Sequence, residues 1–129
     1  MFVFRTRRAL IALLLSPLLA MAQAQTVPAE IKGRWTYQNL SDIFTLSDIK
    51  AASDRTFTAK LEWWTANKRC SIRGEPVSGM LTDKGIAWDM VSKAPCNRPA
   101  SVELNRRQNG WDGKVTDKES SMVADLTAE

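Results

Sequence analysis

The amino-acid sequence predicts an all-β protein, an eight-stranded antiparallel up-and-down barrel with one disulfide. Three observations lead there. In Thr56 to Trp64, Phe57, Ala59, Leu61 and Trp63 alternate with Thr58, Lys60, Glu62 and Trp64, the period of two that marks a half-buried strand. Seven more short segments carry weaker versions of this pattern, and turn residues separate them with little room for helix. The short connections make sequential neighbours pair antiparallel. With eight such strands the first and last also run in opposite directions, so the sheet can close on itself. A β-sandwich or an open sheet is the alternative.

The domain begins after a leader. Residues 1–24 read as an export signal: Arg5, Arg7 and Arg8 form a basic start, Ala9 to Ala20 an apolar run, and Ala22-Gln23-Ala24 a small-x-small cleavage site. The apolar run falls short of the ~20 residues that cross a bilayer. The mature protein is therefore expected to be periplasmic or secreted, free of a membrane anchor, with a single domain over residues 25–129. The whole chain carries 18 Lys and Arg against 14 Asp and Glu; losing the three leader arginines leaves 15 against 14, a net +1. That balance removes the case for a nucleic-acid partner.

The strands follow in order. Arg34 to Gln38 places Trp35 and Tyr37 on one face, and Gly33 is expected to turn the chain into this strand. Asn39 to Asp42 reads as a turn, and Ile43 to Lys50 sets Phe44 and Leu46 together. Ser53-Asp54-Arg55 turns into the clear strand 56–64. Arg69 to Arg73 opens the fourth, with Cys70 at its start and Ile72 facing inward. At Gly74-Glu75-Pro76 the parity breaks, as it would at a bulge. Asp83-Lys84-Gly85 turns into Ile86, Trp88 and Met90, and the longest loop, Ser92 to Pro99, holds Cys96. Ser101 to Arg107 aligns Val102, Leu104 and Arg106. Asn109-Gly110 is a strong hairpin signal before Trp111, Gly113 and Val115. The last strand aligns Met122, Ala124 and Leu126.

Cys70 and Cys96 are the only cysteines, and the chain has no histidine. Export places them in an oxidising compartment, so a structural disulfide is expected rather than a thiol nucleophile or a metal pair. Closing a loop of this length contributes roughly 3 kcal/mol. Without histidine there is no Ser-His or Cys-His pair. The acids lie in turns (Asp42, Asp54, Asp83, Asp117) or on faces opposite the apolar ones (Glu62, Asp89, Glu103, Asp112). The reading is a non-enzyme without metal or cofactor.

Five tryptophans are the more telling feature. Trp35, Trp63, Trp88 and Trp111 share parity with core residues, and either fill the interior or wall a pocket for an apolar or sugar-like ligand. Trp64 points outward as a candidate contact residue. Arg106 falls on an inward parity, where an unpaired charge is costly.

Ala29-Glu30-Ile31-Lys32-Gly33-Arg34-Trp35 resembles the first strand of small calycin-like barrels: lipocalins, avidins and bacterial inhibitors of secreted metalloproteases. Lipocalin-type barrels place a late-strand arginine over the first-strand tryptophan, which implies that Arg106 stacks on Trp35. The avidin likeness covers Gly33 to Thr36 and Ser41, but Tyr37 replaces a polar biotin contact, so biotin binding is not implied. The inhibitor likeness extends to mature length, one disulfide and export, although its cysteines lie nearer the N-terminus than Cys70 and Cys96. It implies that Gln25, Thr26, Val27 and Pro28 form an arm that enters an enzyme's cleft.

Two functions follow as expectations. The first is an exported, non-catalytic protein that recognises a partner enzyme by its surface, through the arm, the end loops or Trp64. The alternative is a barrel that holds a small apolar or sugar-like ligand among its tryptophans. The interior decides between them: packed for the first, hollow by ~300 Å³ or more for the second.

Overall fold

The computed structural model describes residues 26–129. The leader and Gln25 lie outside the described residues. The strands are β1 (Ile31–Tyr37), β2 (Leu40–Ala51), β3 (Thr56–Trp63), β4 (Ile72–Leu81), β5 (Gly85–Val91), β6 (Pro99–Arg107), β7 (Gly110–Asp117) and β8 (Val123–Ala128). Each pairs antiparallel with the next, and β8 returns to β1 with Trp35 opposite Leu126 and Gly33 opposite Ala128. The barrel is closed, and closure leaves no free sheet edge.

Alternation fills its interior. Inward positions of β2 and β3 supply Phe44, Leu46, Phe57, Leu61 and Trp63; Ile86, Trp88, Val102, Leu104, Trp111 and Leu126 complete the core from the other side. Burying a side chain such as Leu61 or Leu104 contributes about 1.5–3 kcal/mol. Phe44 stacks on Trp63 with ring centroids 5.0 Å apart, and Phe57 meets Trp88 edge to face at 6.5 Å. Gly33 makes room for this packing. It sits inside β1 rather than at a turn, and a Cβ there would lie 2.5 Å from the Phe44 ring and from the Thr127 carbonyl oxygen. The tight entry turn expected of Gly33 is thus replaced by a close approach across the barrel seam.

Two bulges keep the apolar faces in register. Leu61 opposes Glu75 while Glu62 opposes Arg73, which leaves Gly74 as the extra residue at φ +69°. That is the expected parity break. The second bulge lies in β2 between Ser47 and Lys50, where Asp48 takes φ 50°. It returns Ile49 to the interior, out of step with Phe44 and Leu46. Several boundaries also differ from the sequence reading; Met122, aligned there with the last strand, precedes β8. The first hairpin turns at Gln38-Asn39, with Gln38 at φ 50°, so Leu40 to Asp42 belong to β2. Cys70 ends a short 3₁₀ turn, Lys68–Cys70, instead of starting a strand. Asn67 caps that turn by accepting a hydrogen bond from the Arg69 N–H.

The up-and-down order sorts the loops between two ends. One end gathers the turns at 38–39, 64–71, 92–98 and 118–122; the other gathers residues 26–30 and the turns at 52–55, 82–84 and 108–109. The Cys70–Cys96 disulfide, with Cα atoms 5.7 Å apart, joins two loops of the first end.

Candidate functional site

The disulfide end of the barrel is hollow. A cavity of about 350 Å³ opens there, with Trp35, Tyr37 and Trp63 on one wall and Ala100, Val115 and Ala124 on the other. Its depth follows from residue size along the strands. On β6 the inward sequence runs Ala100, Val102, Leu104, and on β8 it runs Ala124, Leu126. Small side chains near the mouth leave space that large ones fill lower down.

The wall at Trp35 is fixed by hydrogen bonding as well as packing. Trp35 is 8% exposed, and its Nε1–H donates to the Trp64 carbonyl at 2.7 Å. Trp64 in turn donates its backbone N–H to the Ile43 carbonyl. Trp35 is therefore fixed in the cup wall through its indole N–H, by way of a backbone that is itself paired to β2.

The rim combines apolar side chains with one ion pair. Leu40 and Met122 line the mouth and remain 47% and 45% exposed. Arg98 Nε donates to Asp117 Oδ2 at 2.8 Å, and Asp117 Oδ1 accepts the backbone N–H groups of Glu119 and Ser120. Donation from Arg98 is the chief cause that holds the Asp117 carboxyl down at about 2, helped by those backbone donors against some desolvation. Asp117 thereby ties the β7–β8 turn to the loop that carries Cys96. The sequence reading placed Asp117 in a turn; it is instead the last residue of β7, half-buried and in phase with Trp111 and Val115.

The other candidate residues divide among four places. Cys70 and Cys96 both belong to the cup wall. Trp64 lies on the outer face, half-buried, its Nε1–H donating to Glu62 Oε1 at 2.7 Å. Its ring has Arg73 4.9 Å and Lys68 5.3 Å from the centroid, so its faces already hold the protein's own cations. Trp88 is 3% exposed in the packed middle, and its Nε1 has no hydrogen-bond partner among the described residues.

Trp111 sits at the opposite end, and there the expected stacking of Arg106 on Trp35 is corrected. Arg106 faces Trp111 across the β6–β7 ladder and lies 4.9 Å from its ring centroid. Trp35 instead lines the cup, with its Nε1–H on the Trp64 carbonyl. Arg106 also donates from Nη2 to the Thr26 carbonyl, so its charge is neither stranded nor merely solvated. Residues 26–30 run across this end: Val27 packs partly buried against the core, and the Ala29 carbonyl accepts the Ile49 N–H at 3.0 Å.

Tyr37, Ala100, Val115 and Ala124 were absent from the sequence-derived site. Their signal is positional: inward parity together with a place near a strand end. Arg98 carried no comparable signal, because its role depends on which loops meet at the rim. Compared with protein-family models, with curated proteins and with solved structures, the chain matches none.

Proposed function

We propose that this is an exported, non-catalytic binding protein that holds a small, largely apolar molecule in the cup at the disulfide end. One observation carries the reading: an apolar hollow of about 350 Å³, walled by Trp35 and Trp63 and open at a rim of exposed Leu40 and Met122. Ligand sites are commonly clefts of this size, mostly apolar with a few polar groups. At about 30 Å³ per water, the hollow displaces roughly a dozen water molecules when filled. Releasing water from an apolar surface favours binding, and the indoles supply flat faces for a ring or chain.

Surface recognition of an enzyme has less support. The arm at Thr26, Val27 and Pro28 lies against the Arg106 and Trp111 end, held by the contacts of Arg106 and Val27. Trp64 is flanked by Lys68 and Arg73.

The test is to fill the cup. N-phenyl-1-naphthylamine should bind the oxidised protein saturably at one site, seen as enhanced probe fluorescence. Ala124→Phe should weaken binding by at least about tenfold while keeping the thermal midpoint within a few degrees. Absence of saturable binding, or equal binding by the filled variant, would defeat the proposal.

A further inference from the structure

The cup's polar groups show which end of a ligand they would read. This inference rests on the ligand-binding reading above. The hydrogen-bonding capacity of the side chains at the mouth is unevenly committed. Asp117 uses both carboxylate oxygens inside the protein, one on Arg98 and one on the Glu119 and Ser120 N–H groups. Asn67 uses its amide oxygen on the Arg69 N–H at 3.2 Å. The Ser92 hydroxyl oxygen accepts the Arg98 N–H at 2.9 Å, and the Tyr37 oxygen accepts from Gln38 Nε2 at 3.3 Å.

The corresponding donors have no partner among the described residues: the hydroxyl protons of Tyr37 and Ser92 and the amide protons of Asn67. Among the described residues the Arg98 guanidinium donates only its Nε–H in a hydrogen bond, and its Nη1 lies 3.9 Å from Glu119. Thr65 is the exception, since its hydroxyl donates to the Asn67 carbonyl. A ligand head that brings its own donors would have to share oxygens that each already accept a hydrogen bond. One that brings acceptors would meet protons without partners.

We infer that the cup takes an amphiphile whose apolar body rests on Trp35 and Trp63 and whose head is a hydrogen-bond acceptor of the carbonyl or carboxylate type at the Tyr37 and Arg98 rim. Arg98 and Asp117 are the charged residues of the lining and neutralise one another. The shared chemistry is therefore the acceptor oxygen, whether the head is neutral or anionic.

Four probes that share one ring system separate the possibilities: 2-ethylnaphthalene, 2-acetylnaphthalene, 2-naphthoate and 2-naphthylmethylammonium, each titrated by calorimetry into the oxidised protein. The acetyl or the carboxylate probe should bind about tenfold more tightly than the ethyl probe, the value of one good hydrogen bond. The ammonium probe should be weakest. A tighter acetyl probe supports the inference with a neutral carbonyl as the head, and a tighter naphthoate supports it with a carboxylate. Tyr37→Phe, which removes only a rim hydroxyl, should narrow the gap about threefold to tenfold and leave 2-ethylnaphthalene unchanged. Equal affinity for all four probes overturns the acceptor-head inference but leaves the cup reading intact. Tightest binding of the ammonium probe does the same, as does a gap that Tyr37→Phe leaves untouched. Four silent titrations would overturn the ligand-binding reading itself.

Discussion

Arg106 and Asp117 show how a charged residue keeps an inward-facing position when it sits at a barrel end. Arg106 lays its guanidinium on Trp111 and donates to the Thr26 carbonyl, which keeps the charge near water while its stem covers an indole. A double-mutant cycle between Arg106→Ala and Trp111→Leu should give a coupling of about 0.5–1 kcal/mol in thermal or urea unfolding. The same cycle with Trp35 should give none, and a measurable coupling there would contradict the geometry. Asp117 makes a pH-dependent contribution. Its carboxyl is held at about 2, against an ordinary value of 3.8, chiefly because Arg98 donates to its charged form. A lowered pKa stabilises the folded state above the unfolded value and loses that effect as pH falls through the folded one. Asp117→Asn should therefore lower the thermal midpoint above pH 4, and the difference from wild type should shrink towards pH 2. A difference that grew on acidification would show the sign to be wrong.

At the scale of elements, the parity of each strand was legible and the exact junctions were less so. Thr56 to Trp64 reads as a strand because every second residue is apolar, and it is β3 to within one residue. The bulge at Gly74 was visible because Gly and Pro stand where the alternation breaks. The bulge at Asp48 was not, because Ser47-Asp48-Ile49 lacks such punctuation and only the burial of Ile49 reveals the shift. Gly33 was read as a turn residue because local sequence cannot show a ring arriving from the neighbouring strand. The two glycines make the same substitution costly for different reasons. Gly33→Ala should cost about 1–3 kcal/mol by forcing Phe44 and the β8 backbone apart. Gly74→Ala meets open space and should cost only about 1–2 kcal/mol, for a left-handed residue. Chemical denaturation measures both, and a harmless Gly33→Ala would mean that the seam is looser than described.

Over the whole molecule, one meander produces two unlike ends. The end that carries Arg106 is covered by residues 26–30, and the end stapled by Cys70–Cys96 is left open above Trp35 and Trp63. The closed barrel was legible from eight alternating segments and short turns. The hollow was not: the many Trp, Phe, Leu and Met side chains suggested a filled interior, and they do fill it, but only below the mouth. Whether space remains depends on small residues near the mouth of neighbouring strands, with Val115 opposite Ala124 and Ala100 one inward step nearer the mouth opposite Asp117, a coincidence of register that composition does not reveal. The indole N–H signals test this division most directly, because the tryptophans mark every level of the barrel. In a nitrogen–proton correlation spectrum of the ¹⁵N-labelled oxidised protein titrated with 2-acetylnaphthalene, the Trp35 and Trp63 signals should shift saturably, while those of Trp88 and Trp111 stay in place. Shifts centred on Trp111, or equal shifts at all five indoles, would contradict an apolar cup at the disulfide end.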